Sequence, residues 1–274
     1  MGFCEIAGIS RGAYYKWLTK EESEREKENQ ELSKQILELY EEEKGIFGYR
    51  QMQLHINKKL ETSYNHKRIY RLMKAMGLQA RVRKKRQRYI AHKAEMVAEN
   101  ILNRDFRAEK PNEKWLTDVT EFKLTNGKKA YLSAIFDLYD KSIVAYVLGE
   151  KNNNKLVFDT LDLAIAKTKD AKPLVHSDRG FQYTSKIFKS KLEQMKATQS
   201  MSRVGKCIDN GPMEGFWGIL KTEMYYPSKF HIREELAAAI EEYMYFYNYR
   251  RLKRTLNGMT PVQYRKQAMA VMGM

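Results

Sequence analysis

The hydrophobic pattern of the chain changes at Lys110-Pro111-Asn112, from helical spacing to strand-like runs. After this point come three runs rich in β-branched and aromatic residues, at residues 115–124, 129–140 and 142–150. Asn126-Gly127 separates the first two runs and is a strong hairpin signal, so we expect antiparallel strands. The chain is therefore predicted to have a helical first part and a second part built on a β-sheet.

Helical and strand-like segments alternate through the rest of the second part. Helical spacing at residues 155–169 and 184–195 alternates with short strand-like runs at residues 173–176 and 197–201. Further helices are expected from Pro212 onward and at residues 232–249. This order predicts an α/β fold, in which a mixed five-stranded sheet has helices on its faces.

Charge is distributed unevenly in the first part. Residues 20–44 hold ten acids and five bases, whereas residues 45–93 hold fourteen Lys or Arg and one Glu. The acidic stretch has apolar residues at helical spacing. A second helix follows at residues 52–60, and Asn65 is placed to cap a third that ends at Gly77. These elements predict an all-α helix-turn-helix region behind an amphipathic helix.

The third of these helices is strongly basic around its apolar stripe. Such a helix suits a DNA groove, and it equally suits a solvated surface. The run that follows favours DNA, because six bases in the eight positions 81–88 form a phosphate-binding arm more readily than a packed element. The candidate DNA contacts are Lys67, Arg68, Arg71, Arg81, Arg83, Lys84, Lys85, Arg86 and Arg88.

The net charge of +16 over 274 residues points to a polyanionic partner, because such an excess opposes compaction unless it is neutralised. Nucleic acid is the leading candidate and an anionic membrane the second. No apolar run approaches the roughly 20 residues of a membrane span, and the start lacks a signal-peptide core. The two cysteines are far apart and lack zinc-ligand spacing, which argues against a disulfide framework and a structural zinc. We expect a cytoplasmic protein.

Three acids, Asp118, Asp178 and Glu214, are the candidate catalytic residues. Each also has a purely structural explanation. Asp118 could be a solvent-facing strand residue, Asp178 a turn residue, and Glu214 an acid in the first turn of a helix. Their placement favours a shared site, because Asp118 lies in the first predicted strand and Asp178 directly follows the fourth. Carboxylates suit Mg²⁺, and two such ions about 3.5–4 Å apart promote in-line displacement at phosphorus. The acids therefore predict a metal-dependent phosphoryl-transfer site.

The helix that begins at Pro212 presents two neighbouring stripes. Trp217 and Leu220 belong to an apolar stripe, and Glu214 and Lys221 lie on the adjoining one. Lys221 would lie about 10 Å along the helix axis from Glu214, which suits contact with a DNA phosphate beside the reacting one. We expect the first stripe to pack and the second to carry function.

His176 and Asn210 flank the acids in sequence. Both could bind substrate or order the site. The structural interpretations, a buried strand histidine and a helix cap, are slightly favoured.

These motifs resemble those of a known family, the OrfB-type transposases of bacterial insertion sequences. The resemblance covers nearly the whole chain. It includes residues 10–18, 48–50, 67–73 and the tail from 247 to 261, and most specifically Trp115-Leu-Thr-Asp118, His176-Ser-Asp178-Arg-Gly-Phe-Gln-Tyr183 and Asp209-Asn-Gly-Pro-Met-Glu214. It implies a retroviral-integrase-like (DDE) catalytic core with a ribonuclease H-like fold.

The resemblance also implies roles for individual residues. Asp118, Asp178 and Glu214 would be the metal ligands, holding two Mg²⁺ ions for which Mn²⁺ is a possible substitute, and Lys221 would contact DNA. Members of the family use water to nick the element's end and then use the freed 3′-hydroxyl to attack another phosphodiester. This agrees with the lack of a His-paired Ser, Cys or Tyr nucleophile in the sequence.

Partners and segments follow from the same resemblance. Double-stranded DNA, a homo-oligomer on that DNA, and a small upstream-frame product or fusion are expected, in the cytoplasm of a bacterium at its nucleoid. The segments are an N-terminal helical segment at 1–44, a basic DNA-binding region at 45–92, a linker at 93–110, an integrase-like core at 111–228 and a C-terminal helix with a basic tail at 229–274.

The chain departs from the family pattern at a few positions. Lys253 stands where the family often has His, Asn257 where it often has Gly, and Gly211 and Gly215 where Ala and Ser are common. None of these departures removes a candidate catalytic group.

Two alternative functions remain open at this point. A nuclease on the same fold would keep the acids but only hydrolyse DNA. A non-catalytic DNA-binding regulator would use the basic region alone, with the acids as structural residues or a relic.

Overall fold

A computed structural model describes residues 8–19, 21–80, 98–203 and 207–273. The chain divides into two compact units, Met1–Ala80 and Arg81–Met274. The basic run at residues 81–88 and the first part of the predicted linker lie outside the described residues. The finer division into five segments stays a prediction.

The first unit consists of helices. They are α1 (Arg11–Leu18), α2 (Glu24–Glu42), α3 (Tyr49–Lys59) and α4 (His66–Ala75). Ser23 and Glu26 form a capping box that starts α2, and the Asn65 side chain accepts the backbone N–H of Lys67 at the start of α4. Gly45 and Gly77 follow α2 and α4 with φ of 71° and 70°, which suits glycine at a helix end. The predicted helical region and its capping are confirmed.

The core of this unit joins three helices. Ile36 from α2, Met52 and Ile56 from α3, and Ile69 from α4 are fully buried. Helix α1 differs, because none of its residues is buried, and Trp17 is 71% exposed. Ser10 caps α1, because its side chain accepts the backbone N–H of Ala13 at 3.1 Å.

The second unit is built on a five-stranded sheet. Its strands are β1 (Lys114–Lys123), β2 (Lys129–Asp137), β3 (Ile143–Gly149), β4 (Leu174–Ser177) and β5 (Thr198–Met201), in the spatial order β3-β2-β1-β4-β5. The first three strands are antiparallel, and β1, β4 and β5 are parallel. This is the predicted mixed sheet, with β1 in its centre.

Helices cover both faces of the sheet. They are α5 (Asn154–Lys167), α6 (Lys186–Gln194), α7 (Gly211–Leu220), α8 (Arg233–Tyr245) and α9 (Pro261–Met272). Trp115 and Val119 of β1 contribute to the core beneath α5 and α6. Because side chains alternate along a strand, Asp118 faces the opposite side, where Phe216 of α7 meets Phe136 of β2. No helix in the described part of the chain is long and apolar enough to cross a lipid bilayer.

Two helices end in wider turns than predicted. Helix α7 continues into the π-helical turn Lys221–Tyr225, and α8 continues into a second at Phe246–Arg250. Glu223 from the first turn forms a largely buried ion pair with Arg251, which follows the second. The helical spacing predicted between Glu214 and Lys221 is kept, because the α-helix extends to Leu220 and the wider π turn begins only at Lys221.

Candidate active site and DNA-binding helix

The sheet register places two of the acids at the same level. In the parallel pair β1 and β4, Leu116 lies opposite His176. Asp118 and Asp178 each follow two residues later, so they project from the same face at the same end of neighbouring chain segments. The structure thus brings together two acids that are 60 positions apart in the sequence.

Asp118 is held by two donors. The backbone N–H of Val119 donates to Oδ1 at 2.8 Å, and the indole N–H of Trp217 donates to Oδ2 at 3.0 Å. Burial is the largest of the effects that together raise the pKa of Asp118 to about 7. The negative charges of Asp178 and Glu214 act in the same direction, and the two hydrogen bonds oppose them. All three predicted acids therefore share one electrostatic environment.

Asp178 lies in a tight loop directly after β4. Its Oδ1 accepts the backbone N–H of Gly180 at 2.8 Å. A Cβ at Gly180 would lie 3.0 Å from this oxygen and 2.7 Å from the Gln182 amide oxygen, so a larger residue would displace these side chains. Desolvation of the carboxylate by nearby protein atoms raises its pKa, although the residue as a whole is exposed at the surface.

Glu214 is exposed in the first turn of α7, which has proline near its start. Three donors attach this helix and the turn after it to β1. Asn210 donates to the carbonyl of Thr117 at 3.3 Å, Trp217 donates to Asp118, and the Lys221 ammonium donates to the carbonyl of Glu121 at 3.0 Å. The helix that carries Glu214 is thus fixed along the strand that carries Asp118.

A buried acid holds in place the segment that precedes α7. Asp209 has no exposed side-chain surface and accepts hydrogen bonds from Arg203, Arg104 and Asn100. The Arg203 guanidinium is the main reason that the pKa of Asp209 lies far below its usual range. Glu214 follows Asp209 by five residues, so this cluster constrains where its helix begins.

The flanking polar residues are structural. His176 is fully buried between the hydroxyls of Ser200, at 2.9 Å, and Ser202, at 3.1 Å. Burial lowers its pKa to about 4, so it is neutral at pH 7. Asn210 lies at the N-cap position of α7, but its side chain bonds β1 instead of the helix backbone. The interpretation of His176 as a buried strand histidine is confirmed. The capping bond predicted for Asn210 is wrong, although the residue lies at the N-cap position.

The acids suit a divalent cation in their chemistry. Hard carboxylate oxygens are preferred ligands of Mg²⁺, and a cation would relieve the repulsion that raises the pKa of Asp118. Within the described ranges, no three His, Cys, Asp or Glu side chains are close enough together to coordinate an ion as they stand. Glu214 is exposed, so its side chain can change rotamer without repacking the core.

Lys221 has an intramolecular environment. Besides donating to Glu121, its ammonium lies 5.2 Å from the centroid of the Phe122 ring. It is partly exposed at the first position of the π-helical turn. Contact with DNA would require Lys221 to exchange at least one of these interactions for a phosphate.

The predicted DNA-binding residues of α4 fall into two groups. Lys67 and Arg71 are exposed one turn apart, and the side chain of neither has a hydrogen-bond or ion-pair partner among the described residues. Arg68 instead donates to Glu28 at 2.8 Å and to Asn29 at 2.9 Å, which ties α4 to α2. The six basic candidates between positions 81 and 88 lie outside the described residues.

Sequence reasoning missed two residues. Trp217 was assigned only to a packing stripe, although its position three residues after Glu214 places it on the same side of α7. Asp209 lies inside the motif that contains Glu214, but no role was assigned to it. The nearby base Arg203 was the available signal for an ion-paired acid, whereas Arg104 lies 105 positions away in the sequence.

Family models match both units. An Integrase core domain model matches residues 108–207, a second Integrase core domain model matches residues 214–269, and an HTH-like domain model matches residues 27–86. These matches confirm the predicted integrase-like core with its ribonuclease H-like mixed sheet, and the predicted helix-turn-helix region.

Similar proteins are found among insertion-sequence products. The putative transposase InsK for insertion sequence element IS150 of Escherichia coli (strain K12) is 40% identical over 238 residues, 86% of this chain and 83% of that protein. An uncharacterized transposase-like protein of Haemophilus influenzae is 42% identical over 207 residues, 75% of this chain and 94% of that protein.

A solved structure is also similar. The HTLV-2 integrase catalytic core domain in complex with magnesium is 21% identical and covers 58% of this chain and 99% of that one, with a TM-score of 0.46. This likeness is too weak to carry an argument, and the fold assignment rests on the sheet order and the family models. The chain belongs to the insertion-sequence transposases of the DDE type, polynucleotidyl transferases built on an integrase core.

Proposed function

We propose that this chain catalyses Mg²⁺-dependent DNA strand cleavage and strand transfer, with Asp118, Asp178 and Glu214 as the metal ligands. The supporting observation is the shared environment of the three acids, in which burial and the other two charges raise the pKa of Asp118 to about 7. Maintaining like charges near a buried carboxylate is unfavourable, and strongly perturbed acids in one place are typical of functional sites.

The protein's part in the reaction is to hold and orient charged groups. Two Mg²⁺ ions bound by these acids would activate the attacking oxygen and stabilise the leaving oxygen of an in-line displacement. Val119 and Trp217 donate to the two oxygens of Asp118, which favours its anionic form as a ligand. No covalent protein intermediate is needed, because water and then a DNA 3′-hydroxyl serve as nucleophiles.

We propose that Lys67 and Arg71 on α4, together with the basic residues at 81–88, bind the DNA backbone. The exposure of Lys67 and Arg71 and the positive charge of the whole set support this role. Arg68 is a weaker candidate for direct contact, since its guanidinium already bonds Glu28 and Asn29. Lys221 would bind a phosphate near the reacting one.

The assembly is part of the same proposal. Joining two element ends to a target requires more than one active site in one complex, so we expect a homo-oligomer on DNA. A small upstream-frame product or fusion would supply end recognition. The reaction would take place at the bacterial nucleoid, in the cytoplasm, where the DNA is.

The proposal is tested by joining a labelled, pre-cut 3′-hydroxyl end to plasmid DNA in the presence of Mg²⁺. We expect joining by the wild-type chain and none by Asp118→Asn, Asp178→Asn or Glu214→Gln, because each substitution removes a ligand charge. DNA binding, measured in parallel by a mobility shift, should be largely retained by all three variants.

Three other outcomes separate the alternatives. Cleavage without joining would favour a nuclease or a missing partner. Salt-sensitive binding with neither reaction would favour a regulator. Metal-dependent joining that persists in all three variants would overturn the assignment of the site.

A further inference from the structure

We infer that Trp217 is a positioning residue for the metal-binding acids, through the hydrogen bond from its indole N–H to Asp118. This inference rests on the proposed role of Asp118 and Glu214 as metal ligands. It assigns to an apolar core residue a function in metal binding, in addition to its packing.

The hydrogen bond joins the helix that carries Glu214 to the side chain of Asp118. Trp217 Nε1 lies 3.0 Å from Asp118 Oδ2, across 99 positions of sequence. Trp217 follows Glu214 by three residues on α7, so one residue of the Glu214 helix directly bonds the Asp118 side chain. A shift of α7 along β1 would therefore move Glu214 and, at the same time, change the orientation of the Asp118 carboxylate.

The donor itself is fixed by packing. Trp217 is only 6% exposed, and its ring lies 5.0 Å from the ring of Phe216. Phe216 in turn contacts Tyr247, with ring centroids 4.8 Å apart. A close-packed aromatic side chain has few alternative rotamers, so the N–H is directed at Asp118 without further ordering.

Asp118 keeps its capacity to bind a cation. The backbone N–H of Val119 occupies one acceptor position of Asp118 Oδ1, at 2.8 Å, and the indole N–H of Trp217 occupies one of Oδ2. A carboxylate has about four acceptor positions, so both oxygens retain a free one. The two bonds together fix the plane of the carboxylate, which is the usual function of groups that bond to metal ligands.

The same chain offers a matched control. Trp115 lies three residues before Asp118 on β1, is fully buried, and its indole N–H has no hydrogen-bond partner among the described residues. Trp115→Phe therefore makes the same chemical change as Trp217→Phe and also disturbs the core. It removes no donor from Asp118.

The experiment measures Mn²⁺ binding to the full-length chain without DNA, from the electron paramagnetic resonance signal of free Mn²⁺. We expect Trp217→Phe to raise the Kd by about 10-fold or more, since groups that orient metal ligands typically contribute about 10- to 100-fold. Trp115→Phe should leave the Kd close to that of the wild type. Raising the Mn²⁺ concentration should also restore strand transfer in Trp217→Phe.

Circular dichroism establishes whether the variants fold. If Trp217→Phe does not fold, benzothienylalanine at position 217 preserves the ring shape and replaces the N–H by sulfur. It should weaken Mn²⁺ binding in the same way.

Several outcomes would overturn the inference. They are an unchanged Kd in Trp217→Phe, an equal loss in both Trp→Phe variants, and tighter binding in Trp217→Phe. Asp118→Asn distinguishes the two proposals. If Asp118→Asn loses Mn²⁺ binding and Trp217→Phe does not, only the role of Trp217 is excluded. If Asp118→Asn binds Mn²⁺ as the wild type does, the proposed metal site itself is excluded.

Discussion

Asp209 is a single buried acid that orders the segment leading to the helix of Glu214. It is fully buried, yet it stays ionised because Arg203 and Arg104 bond both of its oxygens. Its partners come from the segment before the sheet and from the residues just after β5. Asp209 thus connects these segments immediately before the helix of Glu214.

We predict that Asp209→Asn lowers the free energy of unfolding at pH 7 by about 2 kcal/mol, because it removes a charge that accepts several hydrogen bonds. Urea denaturation followed by circular dichroism measures this change. Asp105→Asn is the control. The Asp105 side chain is 63% exposed, so its ion pair with Lys114 should contribute little to the free energy of unfolding.

The effect of Asp209 should depend on pH. Its pKa is lowered in the folded state, so its contribution is fully present above the unfolded pKa of about 3.9 and is lost as pH falls below that value. The difference between the wild type and Asp209→Asn should therefore be constant from about pH 7 to pH 5 and shrink below about pH 4. A difference that grows on acidification would contradict the role of this ion pair.

Asn257 illustrates a departure from the family that the backbone tolerates. Its φ is 54°, in the left-handed region, and Gly258 follows with a φ of 74°. Asparagine is among the few residues other than glycine that adopt this conformation readily. Asn257 therefore adopts the turn before α9 without the strain that most other side chains would meet there.

At the scale of elements, helix α4 carries exposed bases beside a base that supports the fold. Lys67 and Arg71 are exposed, while Arg68 bonds Glu28 and Asn29 and lies 5.0 Å from the centroid of the Tyr64 ring. Neighbouring bases on one helix thus have different environments. The distinction was not visible in the sequence, where all three appear as basic residues around an apolar stripe.

We predict that Lys67→Ala and Arg71→Ala each weaken binding to any duplex. Each should also reduce the slope of the logarithm of the binding constant against the logarithm of the salt concentration by about 1, which corresponds to one phosphate contact. Arg68→Ala should instead lower the unfolding temperature, because it removes the link between α4 and α2. Fluorescence anisotropy over a range of salt concentrations and thermal denaturation measure the two effects. Unchanged affinity in both Lys67→Ala and Arg71→Ala would exclude this face of α4 as a DNA contact.

The extents of the elements were largely predictable. Caps such as Asn65, and hydrophobic spacing in α2, α5 and α6, depend on residues within a few positions of each other. The π-helical turns at Lys221–Tyr225 and Phe246–Arg250 were not predicted. They lie next to the pair of Glu223 and Arg251, whose members are 28 positions apart, so local spacing carries no signal for them.

At the scale of the whole molecule, the net charge of +16 should dominate association with DNA. We predict that affinity for a non-specific duplex falls by about 10³-fold or more between about 50 and 200 mM salt, as for proteins that contact at least six phosphates. Anisotropy titrations measure the slope. Glu214→Gln should show nearly the same slope, because Glu214 binds metal in our proposal and makes no phosphate contact. An affinity independent of salt would contradict an electrostatic interface.

The sequence by itself determined the helical first part, the five strands and the three acids at the ends or centres of particular elements. These follow from short-range spacing, capping and turn chemistry, and from motifs read as a resemblance. The tertiary structure decided what each side chain contacts. Trp217 became a donor to Asp118, Lys221 a donor to Glu121, and Asp209 a buried anchor for three partners. The Trp217 and Lys221 contacts span about 100 positions, and such contacts exist only after the packing of α7 against β1 has placed the groups within bonding distance.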